Sequence, residues 1–220
     1  MSRRAQTVVR RFLDMAFIVV AAPLWVPIWA LCATAIVLDS GPPILYRQDR
    51  VGRHGVAFTM LKFRSMVRGE NPLVPDASRI TRVGAHLRRT SLDELPQLIN
   101  VLRGEMSLVG PRPILPQQVA VMTDDQKRRH RVRPGLTGLS QINGRNTIAW
   151  RERFAHDCRW ADAPTIASYL SILARTARVV SAGDGVDGHD AADPLLVDLT
   201  ASRDAAVDLD ARSETTAETV

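Results

Sequence analysis

At 220 residues the chain is long enough for one domain with a real core. The net charge of +6 conceals an asymmetry: the stretch from Ser181 onward holds ten of the 23 acids and two of the 29 basic residues, leaving 27 basic against 13 acidic, a net of +14, in the first 180. Such a body asks for an anionic partner (a membrane surface, nucleic acid or a phosphorylated substrate), while two distant cysteines, Cys32 and Cys158, exclude a disulfide framework and a cysteine metal site and fit a reducing cytoplasmic compartment.

Residues 1–11 carry Arg3, Arg4, Arg10 and Arg11 and no acid, and Met15 to Leu38 then runs for 24 residues without a charge. As a straight helix this run measures about 36 Å, enough to cross a hydrocarbon core of about 30 Å. Pro23 and Pro27 predict a sharp bend inside it, because each lacks a backbone donor and clashes with the preceding turn. Arg47, Arg50 and Arg53 follow the run as the four arginines precede it, which keeps both ends on the cytoplasmic side. A helix that enters the membrane, bends at the prolines and returns satisfies both facts. The alternatives are a single span and a signal peptide cleaved near Ala33-Thr34-Ala35.

Asp39-Ser40-Gly41-Pro42-Pro43 breaks the chain. Residues 44–48 and 56–63 then read as the strands of a β-hairpin joined by the turn-rich Val51-Gly52-Arg53-His54-Gly55. Lys62 and Arg64 have two readings, as solvated strand ends or as phosphate ligands aimed at an acidic pair further on. Glu70 to Ala77 is a polar loop with Pro72 and Pro75, Ser78 to Arg89 a turn and a short basic helix, and His86 a surface residue.

Asp93 and Glu94 stand side by side just before an apolar segment, Leu95 to Leu102, that closes on Arg103-Gly104. Two placements fit: Ser91 as an N-cap with Glu94 completing a capping box, or a helix beginning at Pro96. Either sets the acids at a helix N-terminus, where free donors and the dipole favour anions. With Arg88, Arg89 and Arg112 around them, the acids suit a metal-bound diphosphate or, equally, a capped helix with surface salt bridges.

Gln117 to Arg131 predicts a helix, polar and basic toward its end. Residues 133–141 are too rich in glycine for a helix and read as a compact loop, with Gly144-Arg145 offering a further guanidinium for phosphate. Arg151 to Arg159 reads as a surface helix. From Pro164 a better helix presents Ile166, Tyr169, Leu170, Leu173, Ala177 and Val180 at helical spacing, for core packing or for a membrane interface. The tail from Ser181 has no lasting periodicity and reads as disordered.

The motifs Arg47-Gln48-Asp49-Arg50-Val51-Gly52, Lys62-Phe63-Arg64-Ser65-Met66, Thr81-Arg82-Val83-Gly84, Ser91-Leu92-Asp93-Glu94-Leu95-Pro96-Gln97, Gly104 to Pro113, Arg133-Pro134-Gly135-Leu136-Thr137-Gly138 and Gly144-Arg145 follow one another in one order. As an ordered set over residues 8–180 they closely resemble the bacterial sugar transferases, the small monotopic phosphoglycosyl transferases. The resemblance implies transfer of a sugar 1-phosphate from a UDP-sugar to undecaprenyl phosphate, giving UMP and undecaprenyl-diphospho-sugar through an aspartyl phosphosugar. That is the first membrane step of exopolysaccharide or glycoconjugate synthesis. It implies Mg²⁺ held by Asp93 and Glu94, with these two also catalytic, and Arg88, Arg112, Arg145, Lys62 and Arg64 as phosphate-binding residues.

The fold expected is α+β, mostly α, with an N-terminal re-entrant membrane helix, a small β-hairpin and interfacial helices packed around a cytoplasmic active site. Its divisions are residues 1–40 as basic N-terminus and membrane helix, 41–180 as catalytic domain and 181–220 as acidic tail. The location implied is the cytoplasmic (inner) membrane. Where relatives carry a Tyr-Val pair this chain has Trp160-Ala161, followed by Pro164-Thr165. A membrane-anchored basic module that captures lipid phosphates without chemistry is the competing reading, and it has no use for Asp93-Glu94. Nucleic acid is not an expected partner, because no recognition-helix or zinc-finger pattern appears.

Overall fold

A computed structural model describes residues 2–67, 77–144 and 148–182. The chain opens with α1 (Arg3–Val20), which Ser2 caps by accepting from the Ala5 amide, and continues in α2 (Ala22–Ser40) after a break at Ala21. The break falls just ahead of Pro23, in the first turn of α2, because proline has no N–H for the carbonyl four residues back, that of Val19. The Trp25 indole donates to the Ile18 carbonyl at 2.9 Å across the joint. The bend expected at both prolines therefore sits before the first, and α2 runs on through Pro27.

Both outer ends of this helix pair are fixed to the same body. Arg11 in α1 donates to the carbonyls of Val101 (2.6 Å) and Leu102 (3.0 Å). Asp14, 2% exposed, accepts from Ser107 Oγ (2.8 Å), the Leu108 amide (2.9 Å) and Tyr169 Oη (2.8 Å). At the far end of α2, Cys32, Ala33 and Ile36 pack with Phe63 and Leu87. The stretch between is apolar and uncovered, with Val20 80%, Leu24 69% and Leu31 70% exposed. Exposed apolar surface of that kind marks a contact with a membrane or with another protein.

After a turn, β1 (Leu45–Val51) and β2 (Ala57–Phe63) form the expected antiparallel hairpin, Leu45 opposite Phe63 and Val51 opposite Ala57, around a one-turn 3-10 helix at Arg53–Gly55. The buried Asn100 fastens the hairpin edge to the next helix: Oδ1 accepts from the Leu61 amide (3.0 Å) and Nδ2 donates to the Thr59 carbonyl (2.8 Å). Then come α3 (Arg82–Arg89), a 3-10 turn at Leu92–Glu94 and α4 (Gln97–Arg103). Gly104 ends α4 at φ +83°, a conformation only glycine takes without penalty. The expected polar loop at 70–77 lies outside the described residues except for Ala77.

Two expectations for the second half are corrected. The glycine-rich 133–141 segment is not a plain loop: β4 (Gly135–Thr137) pairs in parallel with β3 (Ser107–Val109), and a short α7 (Leu139–Ile142) follows. The two strands meet through glycine, since a Cβ on Gly135 would stand 2.0 Å from the Gly110 amide nitrogen. Glycine there permits the pairing rather than preventing order. The single helix expected over 117–131 is instead α5 (Pro116–Ala120), α6 (Asp124–Lys127) and a 3-10 turn at Arg128–Arg131. Thr123 restarts the helix as a capping box with Gln126, and a second cap interrupts a continuous ladder.

The chain ends its described part with α8 (Trp150–Asp162) and α9 (Ile166–Ala182). The helix expected to lie on the surface is half buried, through Phe154, Asp157, Cys158 and Trp160. The better helix packs in the core rather than only at an interface: Tyr169 and Ile172 join Ile18, Val101, Met106 and Leu108, whereas Leu170 is exposed. The architecture is thus mostly helical α+β with two small sheets. The acidic tail lies outside the described residues from 183 onward.

Candidate active site

The two acids sit on the 3-10 turn, not in a capping box. Ser91 adopts φ +57° and makes no side-chain cap, and α4 starts at Gln97 with Pro96 immediately before it. A serine held in the left-handed region costs about 1 kcal/mol, and here it turns the chain so that Asp93 and Glu94 face β2.

Lys62, at the end of β2, meets both acids: Nζ lies 2.8 Å from Glu94 Oε1 and 3.6 Å from Asp93 Oδ2. Arg112 Nη1 is 3.6 Å from the same Glu94 oxygen. Arg88, from the last turn of α3, lines the same cavity, and its charge acts on Asp93. Asp93, with a side chain 13% exposed, is pushed above the ordinary carboxylate range. The cause is desolvation first, opposed by Lys62 and reinforced by Glu94; Arg88 and Arg112 pull the other way.

These groups line a cavity of about 700 Å³ whose other wall is the helix pair, through Phe17, Ala21, Leu24 and Trp25. Charged groups on one side and the uncovered apolar bend on the other suit a ligand with a polar head and a greasy chain. Deeper in the wall, Arg129 and Asp157 form an ion pair in which both side chains are 2% exposed. Arg129 Nη2 also donates to the Arg112 carbonyl at 2.6 Å, and Ser140 Oγ donates to Asp157 Oδ1 at 2.9 Å. Arg112 is therefore held from behind by a buried network, in addition to its flanking prolines.

Of the residues expected to bind phosphate, Lys62, Arg88 and Arg112 come together at the cavity. Arg64 does not. Its guanidinium turns away and donates to the carbonyls of Ser40 (2.9 Å), Pro42 (3.2 Å) and Gly41, tying down the C-terminal end of α2. Period two would set Arg64 on the face of Lys62, but β2 ends at Phe63 and Arg64 stands beyond it, where the carbonyls left free at the end of α2 are the acceptors its guanidinium takes. Arg145 lies outside the described residues. Arg129, Asp157 and the cavity-lining Trp25 carried no local signal, since each depends on a partner far along the chain.

No third His, Cys, Asp or Glu joins Asp93 and Glu94 in a metal-holding group among the described residues. Mg²⁺ commonly takes one or two protein carboxylates and completes its shell with phosphate and water. The pair fits a cation that arrives with a diphosphate and does not by itself form a cage.

Comparison with known proteins shows what the sequence is similar to. The sequence pattern of one family, described as bacterial sugar transferase, matches residues 5–183. The UDP-glucose:undecaprenyl-phosphate glucose-1-phosphate transferase of Caulobacter vibrioides is 40% identical over 180 residues, covering 76% of this chain and 67% of that protein. The exopolysaccharide production protein ExoY of Rhizobium meliloti is 36% identical over 196 residues, 80% of this chain and 87% of its own length. The undecaprenyl-phosphate galactose phosphotransferase of Salmonella typhimurium is 36% identical over 209 residues. That match takes in 84% of this chain and 43% of the Salmonella protein, so the chain spans less than half of that relative.

Proposed function

The chain belongs to the bacterial sugar transferase family, and from that premise we propose that it transfers a sugar 1-phosphate from a UDP-sugar to undecaprenyl phosphate in exopolysaccharide or glycoconjugate synthesis. The observation that carries this is the Asp93–Glu94 pair, set with Lys62, Arg88 and Arg112 on one wall of a cavity whose other wall is the apolar helix bend. The names of the relatives from Caulobacter and Salmonella supply the substrate class.

In the first step an Asp93 carboxylate oxygen attacks the sugar-bearing phosphorus. The bond from that phosphorus to the bridging oxygen breaks, UMP leaves, and the sugar phosphate is held as an acyl phosphate. In the second step a phosphate oxygen of undecaprenyl phosphate attacks the same phosphorus, freeing Asp93 and forming the lipid diphosphosugar. Lys62 favours the ionised form of Asp93 against its burial, while Arg88 and Arg112 receive non-bridging oxygens through the planar guanidinium fork. Asp93 and Glu94 would hold Mg²⁺, which when bound offsets repulsion between carboxylate and diphosphate.

The helix pair is read as re-entrant: it enters the membrane at the end of α1, turns at Ala21 and returns in α2. Attachment of both outer ends to one body supports this. The arginines on both sides of the apolar run support a catalytic body on the cytoplasmic face, and labelling the two termini on opposite sides of the membrane would sink the re-entrant reading.

Mixing the chain with UDP-sugars, undecaprenyl phosphate and Mg²⁺ and following UMP release tests the activity. Asp93→Asn is expected to lower the rate on the order of 10³-fold or more. Normal turnover by that variant removes Asp93 as nucleophile.

A further inference from the structure

A second cavity, of about 370 Å³, lies away from the acidic pair, between the first three turns of α1, the Arg128–Arg131 turn and the end of α8. Arg10, Arg11, Arg53, Arg131 and Arg133 line it, against Asp14 and Asp162, so three positive charges remain in surplus. Those two acids are already engaged. Asp14 accepts from Ser107, Leu108 and Tyr169, and Asp162 Oδ2 takes Arg128 at 2.6 Å. Within the described residues no carboxylate stands at salt-bridge distance from Arg10, Arg11, Arg53 or Arg133.

Part of this charge has structural work. Arg11 and Arg133 bond the last carbonyls of α4 and its cap, Arg133 Nε donating to Gly104 at 2.8 Å. Arg10 has no such duty: among the described residues it bonds Gln6 and Thr7 of its own helix and lays its guanidinium over the Trp160 ring, 5.7 Å from the centroid. Trp160 is 3% exposed, lines the same cavity, and its indole N–H finds no hydrogen-bond partner among the described residues. A buried donor without a partner is costly and needs an acceptor. Arg10 and Arg133 are also lowered from the usual arginine range, by burial first; Arg53 adds to this in both cases and Arg11 at Arg133, while the Asp14 charge opposes it at both. Like charges crowded out of water, next to an unspent N–H, are relieved by a small multivalent anion.

We propose that this cavity is a second anion site that binds a phosphate-bearing ligand, with Arg10 and the Trp160 indole as its principal donors. It is separate from the catalytic cavity and stands whether or not Asp93 is the nucleophile. A soluble phosphate ester and the phosphomonoester headgroup of a lipid share the chemistry recognised.

The probe is radiolabelled inorganic pyrophosphate, dialysed to equilibrium against the full chain in detergent. An Arg88→Gln/Arg112→Gln background keeps the catalytic cavity from contributing. One equivalent should bind. Arg10→Gln should weaken it by about tenfold or more, and Trp160→Phe, which keeps the ring and removes only the N–H, by about threefold. Unfolding curves matching the background for Arg10→Gln show that the loss is local. Displacement by dihexanoyl phosphatidate about tenfold better than by glycerol 3-phosphate assigns a lipid headgroup, and equal displacement assigns a soluble phosphate. No binding, or binding indifferent to both substitutions, overturns the site.

Discussion

Tyr169 donates its hydroxyl to Asp14 at 2.8 Å across 155 positions of sequence, with both side chains buried. The contact joins the first described helix to the last, and Asp14 simultaneously takes the Leu108 amide of β3. Burial and the neighbouring Asp14 charge push the Tyr169 phenol well above its usual range, so it remains a donor at any physiological pH. One carboxylate thus fixes the angle at which α1 leaves the body toward its apolar end.

Asp14→Ala strands three donors in a dry interior and is expected to cost about 2–4 kcal/mol, with Tyr169→Phe costing about 1–2 kcal/mol. Chemical unfolding in detergent checks both. If Asp14→Ala proves neutral, the anchoring role of the contact is lost.

Asp93 has a different balance. Its folded-state pKa lies above the ordinary 3.8, so the folded chain holds its proton more tightly than the unfolded chain does. The sign follows: between the two values folding takes up a proton, and stability falls as pH rises through that window. Above that window the buried carboxylate opposes folding, and there Asp93→Asn should melt higher than wild type while losing turnover. The rate of wild type should also decline on acidification at a higher pH than a solvated aspartate would dictate. A variant that melts lower would show that the ion pair with Lys62 outweighs desolvation.

Arg64 is expected to act on stability and leave the chemistry alone. Arg64→Lys keeps the charge but cannot fork across the carbonyls of Ser40, Gly41 and Pro42, for a loss of about 1–2 kcal/mol. Turnover per folded molecule should hold. Lost turnover with an unchanged unfolding curve would return Arg64 to the phosphate site.

His130 supplies a pH response of the opposite sign to Asp93. Burial first, then the Arg129 charge, lower it from 6.5 to about 4, against the hydrogen bond between Nδ1 and the Gly52 carbonyl at 3.2 Å. In the window from about 6.5 down to about 4 the unfolded chain binds the proton and the folded chain does not. The stabilisation is complete above that window and should drain away as pH falls through it. Melting temperature followed over this range in wild type and His130→Gln reads it directly; identical slopes would remove His130 as the cause.

What the amino-acid order determined by itself is local or periodic. The charge-free run with two prolines set the paired apolar helices, and alternation set the β1–β2 hairpin. The ordered motifs around Asp93-Glu94 set the family, and Lys62, Arg88 and Arg112 were legible as its cations. Tertiary structure decided whatever depends on a distant partner. The β3–β4 pairing needs two glycines brought face to face from positions 110 and 135, and glycine content alone reads as loop. Arg64 went to helix carbonyls because a guanidinium follows the nearest unsatisfied acceptors, and only the fold says which those are. Arg129 found Asp157 28 positions away and came to support Arg112 from behind. Periodicity reports which face of an element is buried, but it carries nothing about which buried charges meet, and the fold brought those meetings about.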